Sequence, residues 1–345
     1  MGTILFGSRA DLVESISTTL GDKEIKRAAM IKEQDESKIT IAVAVLLPCY
    51  NEGLSIRKTV EGFRSVLPEA VVYVYDNRSM DNTTEEALAA GAIVRREEWP
   101  GKGNVVRRMF SDIDADIYLM ADGDGTYDFR MAPEMIQKLI VEHLDMVVGT
   151  RQDVYENAHR AGHGFGNRLF NGLYRSLFGP LFNDIFSGYR IFSRRFVKSF
   201  PAVSSGFEIE TEMSVHASQL RMPIAEIPTQ YGARQEGSVS KLRTVRDGLR
   251  ILFTFLILFK EIRPARFFGV LAIALSVVAI ALSVPLLLTY LETGLVPRFP
   301  TAILATGLVL LSGIFMVSGL ILDSVARGRL EQKRMWYVAN IGKQK

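Results

Sequence analysis

Two runs in the last third of the chain carry no charged residue: Phe267–Tyr290, FFGVLAIALSVVAIALSVPLLLTY, and Phe299–Leu322, FPTAILATGLVLLSGIFMVSGLIL. Each is longer than the ~20 apolar residues that cross a bilayer as a helix. Two buried helices of a soluble core would rarely run apolar for so long, so the expectation is a transmembrane hairpin, 267–290 and 299–322. Lys260, Arg263 and Arg266 precede the first run, and Arg327, Arg329, Lys333 and Arg334 follow the second. The link between them holds only Glu292 and Arg298. Positive residues stay on the cytoplasmic side, which predicts both chain ends inside and the short turn outside. Pro285 need not break its helix, because neighbouring helices can satisfy the freed backbone group. Residues 244–264, TVRDGLRILFTFLILFKEIRP, are apolar between charged ends. They read as an amphipathic helix at the membrane interface, with a third span as the alternative. Residues 323–345 read as a basic cytoplasmic tail.

The rest of the chain differs in kind. Residues 1–39 mix charge and apolar residues without a secretory leader, and read as a short helix or a mobile extension. Residues 40–243 alternate between two periods. ITIAVAVLLP, AVVYVYD, AIV, DIYLMAD and DMVVGTR are strand-like. Helical patterns cover about Leu54–Val66, Asp81–Ala90, Asn104–Asp112 and Ala132–His143. Such alternation implies an α/β domain with a mostly parallel sheet flanked by helices. Ligands bind at the carboxyl ends of the strands in such sheets. The polar clusters CYNE, DNRSMDNT, DGDGTYD and GTR all fall at strand ends, which suggests a single site. Lys and Arg total 41 against 38 Asp and Glu, so no nucleic-acid partner is expected. Cys49 is the only cysteine, which excludes an intramolecular disulfide and a Cys-cluster zinc site.

The cluster DGDGTYD puts Asp122, Asp124 and Asp128 close together, and like charges so placed need a positive partner. An EF-hand loop requires Gly at position 6 and Glu at position 12. Tyr127 and Pro133 stand there instead. A solvated acidic turn is the bland reading. Its position at the end of a buried strand favours a site. Hard carboxylate oxygens suit Mg²⁺ or Mn²⁺, which keep waters and take phosphate oxygens as further ligands. The expected partner is thus a divalent ion carrying a diphosphate. His159 and His163 lack the Glu of a zinc-binding H-E-x-x-H pattern. GHGFGN, 162–167, follows no strand and reads as a hinge. Lys102, between two glycines, either approaches phosphate or is solvated.

PCYNE (Pro48, Tyr50, Asn51, Glu52), DNRSMDNT (Asp76, Asn77, Ser79, Asp81, Thr83), GKGN and DGDG, in this order, resemble family 2 glycosyltransferases of the GT-A fold, over roughly residues 40–250. The two C-terminal runs, DIFSGYR (Asp184, Ser187, Gly188, Arg190) and RQEGSVSKL narrow the resemblance towards polyprenyl-phosphate glycosyltransferases, the group that includes dolichyl-phosphate mannose synthase. The resemblance implies that Asp76 binds the base or ribose, in a pocket lined by Pro48, Tyr50 and Glu52. Asp122 and Asp124 would bind metal and sugar nucleotide. Arg234, Ser240 and Lys241 would close over the diphosphate, and Arg151 and Arg168 would hold the acceptor phosphate. The chain departs from the family's basic pair and nearby Ser in carrying Asn167, Arg168 and Asn171. Asp184 would orient an acceptor-binding arginine or the donor sugar. Arg190 is either a catalytic residue or the partner of Asp184 in a structural bridge. The bland alternative for Asp76 is a cap on the helix that begins near Asp81, but Asp81 itself is better placed for that. Tyr189 and Phe192 read as core.

The expected chemistry is inverting transfer of a hexose from a UDP-sugar or GDP-mannose to a polyprenyl phosphate, dolichyl or undecaprenyl. The phosphate nucleophile is already anionic near neutral pH, its second pKa being about 6, so no strong general base is required. No protein nucleophile stands out, which favours single displacement. Expected partners are the nucleotide sugar, the polyprenyl phosphate and membrane lipid; a homo-oligomer stays open. The rivals are a processive polysaccharide synthase, a membrane nucleotidyltransferase acting on a lipid, and a non-catalytic membrane scaffold of the same fold. The synthase motif Q-x-x-R-W is approached by QKRMW, 332–336, where Met335 replaces Arg.

Overall fold

The computed structural model describes residues 3–4, 41–153, 171–172, 174–177, 179, 181–232 and 244–340. They fall into two compact units, one built on a sheet and one on the C-terminal helices. The sheet strands are β1 (Thr3–Ile4), β2 (Ile41–Cys49), β3 (Val71–Asp76), β4 (Ile93–Arg96), β5 (Ile117–Met120), β6 (Met146–Asp153), β7 (Arg190–Ser193) and β8 (Ile224–Tyr231). Their order is β4-β3-β2-β5-β7-β6-β8, with β1 antiparallel against the start of β2. The β2–β3, β2–β5, β3–β4 and β6–β8 pairs are parallel. Inside the sheet β7 runs against its neighbours β5 and β6. That reversal matters, because it brings the start of β7 to the edge where β2, β3 and β5 end.

The helices of this unit are α1 (Ile56–Val66), α2 (Thr83–Ala89), α3 (Lys102–Asp112), α4 (Ala132–Val141), α5 (Arg194–Ser199) and α6 (Ile209–Leu220). β2 is buried along nearly its whole length, which explains its continuous apolar run. Val43, Val45 and Leu47 point one way, into a core shared with Ile56, Val60 and Phe63 of α1 and Met135, Ile136 and Leu139 of α4. Full burial of such a side chain stabilises by about 1.5–3 kcal/mol. Another core is aromatic: Phe110 meets Tyr118 and Phe192 edge-on, and Phe192 stacks on Phe196 with centroids 4.7 Å apart. Tyr189 and Phe192 are core residues, fully buried.

The second unit contains α7 (Thr244–Ile262), α8 (Pro264–Thr293) and α9 (Phe299–Ala339). Two of these, α8 and α9, are long and apolar enough to cross a membrane, with mean hydropathies of 2.7 and 2.2 over their most apolar windows. They pack closely where small residues meet. Ser312 Oγ donates to the Ala272 carbonyl at 2.8 Å and shares a 2.8 Å hydrogen bond with Ser276. At Gly319 a Cβ would come within 3.0 Å of Phe268 Cβ. Gly294, at φ 69°, ends α8. Pro285 lies inside α8 without ending it. The second apolar run and the basic segment after it share one helix: α9 continues unbroken to Ala339, and Arg327 pairs with Asp323 one turn earlier at 2.7 Å.

Candidate active site

The strand ends build the site in two halves. In the first, β2 runs out into Tyr50–Glu52 and β3 into Asp76–Asn77. Asp76 is buried, and both its carboxylate oxygens accept from the Ser79 amide at 3.2 Å. The turn after β3 is thereby tied to its last residue. Ser79 Oγ in turn accepts from the Asn51 amide at 2.8 Å, and Asn51 Oδ1 accepts from the Met80 amide at 2.8 Å. The Glu52 amide donates to Thr83 Oγ1 at 2.8 Å, and the Gly53 amide to Asp81 Oδ2 at 3.0 Å. Asp81 also accepts from the Thr83 amide at 3.1 Å, so it, not Asp76, serves the start of α2. Pro48 pairs with Tyr75 and Cys49 with Asp76 in the sheet, which fixes the spacing between the CYNE and DNRS turns.

Asn77 joins these turns to the Gly-Lys-Gly segment. Its Nδ2 donates to the carbonyls of Glu97 and Trp99, at 2.9 and 2.8 Å, and its Oδ1 accepts from the Gly101 amide at 2.7 Å. Gly101 has φ 122°, and a Cβ there would lie 2.2 Å from the Ser205 carbonyl oxygen. A Cβ on Gly103 would lie 2.0 Å from that of Ser204. Only glycine permits this approach, and it sets the backbone on either side of Lys102.

The second half is the carboxylate loop after β5. Ser55 Oγ donates to the Gly123 carbonyl at 2.9 Å, and the Gly232 amide donates to the Thr126 carbonyl at 2.8 Å. Thus α1 and the end of β8 both hold the loop. Asp124 is buried, and its Oδ1 accepts from Thr126 Oγ1 at 2.7 Å. Asp122 is paired with Lys102. Lys102 is not solvated: its side chain is turned inward, only 10% exposed. Its Nζ is shared between Asp122 and Glu210 Oε1 of α6, the latter at 2.5 Å. Burial pulls the Lys102 ammonium down, but Asp122 and then Glu210 outweigh it and hold it above its ordinary value. Burial, aided by Asp122, holds the Glu210 carboxyl above its ordinary value despite Lys102. Gly188, just before β7, faces the same group: a Cβ there would stand 2.8 Å from Asp122 Oδ2. The Gly188 amide donates to Tyr127 Oη at 2.8 Å. Sequence reasoning missed Glu210, whose segment FEIETEM looks like an ordinary acidic first turn of a helix.

Arg151 and Asp184 form a two-pronged pair. Arg151 Nε and Nη2 donate to Asp184 Oδ2 and Oδ1, each at 2.8 Å. Burial works against the Asp184 charge, but Arg151 overcomes it and keeps the carboxyl below its usual range. Asp184 therefore pairs with Arg151, not with Arg190. Arg190 is fully buried; it donates to the Ser187 carbonyl, to Ser214 Oγ and to the Ile185 carbonyl at 2.8, 2.9 and 2.8 Å. It fastens the turn that delivers Gly188, and the alternative of direct contact with substrate loses its support. Arg168, Arg234, Ser240 and Lys241 lie outside the described residues, as do His159, His163 and 162–167.

A mostly parallel sheet with β7 reversed inside it, and a carboxylate loop at the carboxyl ends of its strands, define a GT-A fold. The sequence pattern of glycosyl transferase family 2 matches residues 44–200. The glycosyltransferase AglJ of Haloferax volcanii is 33% identical over 70% of this chain and 80% of its own length. Protein RfbJ of Shigella flexneri is 56% identical over 35% of this chain and 95% of its own length. Glucosyl-3-phosphoglycerate synthase from Mycobacterium tuberculosis, solved with Mn²⁺, UDP and glucosyl-3-phosphoglycerate, shares the fold with a TM-score of 0.53 at 20% identity. That similarity covers 63% of this chain and 79% of that one. The chain belongs to glycosyltransferase family 2, and is a glycosyltransferase that draws on a nucleotide sugar.

Proposed function

We propose that the chain is a membrane-bound, inverting hexosyltransferase of the polyprenyl-phosphate group that includes dolichyl-phosphate mannose synthase. It transfers a hexose from a UDP-sugar or GDP-mannose to a polyprenyl phosphate. The observation that carries the acceptor is the pair α8 and α9. Only 11% and 17% of their most apolar windows are buried within the protein. Helices this apolar and this exposed are suited to lipid, since each Å² left in water costs ~25 cal/mol. An acceptor with a long isoprenoid tail stays in the bilayer at about 0.8 kcal/mol per buried CH₂. Its phosphate must therefore be met at the membrane surface. In this reading α7 lies along the interface, and both chain ends are cytoplasmic.

Asp76, with Pro48, Tyr50 and Glu52, receives the nucleoside. The residues present suit a divalent ion. Asp122 and Asp124 offer hard oxygen donors two residues apart, and the missing Cβ of Gly188 leaves room beside Asp122. Among the described residues no third acidic, His or Cys side chain completes a cluster, so phosphate oxygens and water would supply the remaining ligands. The Mn²⁺ and UDP bound by the M. tuberculosis enzyme support this reading. When bound, Mg²⁺ or Mn²⁺ supplies positive charge for the departing nucleoside diphosphate. Arg234, Ser240 and Lys241 add positive charge and donors over the same diphosphate. Arg151 and Arg168 receive the acceptor phosphate, with Asp184 holding the Arg151 fork in plane. Attack by that phosphate inverts the anomeric centre.

Incubating purified protein with Mg²⁺, a panel of nucleotide sugars and a short polyprenyl phosphate, followed by mass analysis of the lipid, tests the reading. A lipid heavier by one hexose phosphodiester-linked through the acceptor is expected. Transfer to a soluble acceptor only, with the lipid unchanged, would overturn it.

A further inference from the structure

One buried cation serves two carboxylates at the sheet edge. Lys102 Nζ is ion-paired with Asp122 and lies 2.5 Å from Glu210 Oε1. The other oxygen of that glutamate, Oε2, is buried and has no hydrogen-bond partner among the described residues. The backbone flanking Lys102 is fixed, because Gly101 and Gly103 sit against the Ser205 and Ser204 carbonyls and the Gly103 amide donates to Ser205 at 3.1 Å. Any change at this position must therefore come from the side chain. A lysine is suited to that, with three donors on a flexible four-carbon stem.

We propose that Lys102 is a displaceable counter-cation: it neutralises Asp122 when no divalent ion is bound, and withdraws onto Glu210 when one arrives. This rests on the reading that Asp122 and Asp124 hold the ion. A metal and an ammonium on one carboxylate repel strongly in a site shielded from water. The ammonium has another acceptor within reach, since Glu210 keeps its contact through Oε1 and offers Oε2 besides. The site thus exchanges one cation for another with little movement of the fold. The exchange has a cost: Lys102 competes with the metal and weakens its binding to the free protein. The diphosphate of the donor, by adding oxygen ligands, tips the competition. Lys102 and Glu210 are accordingly positioning residues that couple metal binding to donor binding.

The test is Mn²⁺ binding to the full chain in detergent, followed by the electron paramagnetic resonance signal of free Mn²⁺, without donor. Lys102→Met is expected to bind Mn²⁺ about tenfold tighter than the unsubstituted protein, equivalent to ~1.4 kcal/mol. Lys102→Gln, which keeps a hydrogen-bond donor and guards against loss of folding, shifts the same way. Glu210→Gln removes the alternative partner, so Lys102 clings to Asp122 and Mn²⁺ binds several-fold more weakly. Arg108→Met removes an exposed cation from the same helix, and is expected to leave affinity within about twofold because exposed charges are screened. Opposite shifts at Lys102 and Glu210 are not what general loosening of a broken ion pair gives. Saturable Mn²⁺ binding that Asp122→Asn removes, but that Lys102→Met and Lys102→Gln leave unchanged or weaken, overturns the exchange and leaves the metal site standing. A shift at Arg108→Met as large as that at Lys102→Met overturns it too. Absence of Mn²⁺ binding even with UDP or GDP added overturns the metal site itself, and the exchange with it.

Discussion

Replacing Gly188 by alanine adds a single methyl group at the point where β7 faces the carboxylate loop. Its φ is not in the left-handed region, so alanine can adopt the same backbone, and the effect must come from contact alone. The new Cβ would lie 2.8 Å from Asp122 Oδ2, 3.1 Å from Oδ1 and 3.1 Å from Lys102 Nζ. Ordinary contact begins at 3.4 Å, so the carboxylate has to retreat by several tenths of an ångström. Overpacking of this kind costs about 1–3 kcal/mol. The atoms that clash are ends of side chains, which relax more easily than backbone, so the lower half of that range is expected in denaturant unfolding. Activity should fall further. If Asp122 holds the donor as proposed, its displacement is expected to lower kcat/KM by about one to two powers of ten, or ~1.4–2.8 kcal/mol of transition-state stabilisation. The assay is initial-rate transfer to lipid alongside urea unfolding of the same preparation. A G188A protein with unaltered stability and unaltered kcat/KM would refute the reasoning, because it would mean that Asp122 is not held where Gly188 confines it.

Asn77→Ala removes the three hydrogen bonds that connect the β3 turn to residues 97–101. A loss of about 2–3 kcal/mol is expected, together with a raised KM for the donor, measured by unfolding and by donor titration. The Arg151–Asp184 pair gives stability a sign with pH. Burial opposes the Asp184 charge, but Arg151 outweighs it and keeps the carboxyl below its ordinary range. Its contribution is therefore complete above about pH 4 and disappears as pH falls through the depressed folded value. Asp184→Ala, which leaves a half-buried guanidinium without its partner, should cost about 3 kcal/mol at pH 7 and progressively less in acid, measured by unfolding across that range.

Much of the fold was readable because of where each strand lies. β2 and β5 are buried on both faces, and β3 is buried towards its carboxyl end; all three announce themselves as unbroken apolar runs, and the carboxylates that follow or close them, Asp76 and Asp122, could be assigned to one edge. β7 could not be read in this way. It is four residues long, RIFS, and nothing in so short a run indicates that it points backwards between β5 and β6. Its direction decides where Gly188 and Arg190 go, so of the two partners open to Asp184 the sequence could not single out Arg151 over Arg190. Glu210 was illegible for a different reason. α6 buries glutamates and apolar residues alike, so no amphipathic stripe marks which of its acids faces Lys102. The length of α9, in contrast, was available in principle. The stretch DSVARGRLEQKRMWYVA is rich in strong helix formers and contains no proline, so the helix has no local reason to stop at the end of its apolar part.

Conversion of Asp124 to alanine, assayed for hexose transfer to polyprenyl phosphate, tests the central claim most directly. Asp124 is buried with Thr126 inside the loop proposed to carry the donor diphosphate. A fall of about a thousandfold or more in kcat is predicted, on the scale seen when a preorganised transition-state contact is removed. Transfer at the unsubstituted rate, in protein that unfolds at the same denaturant concentration, would contradict it.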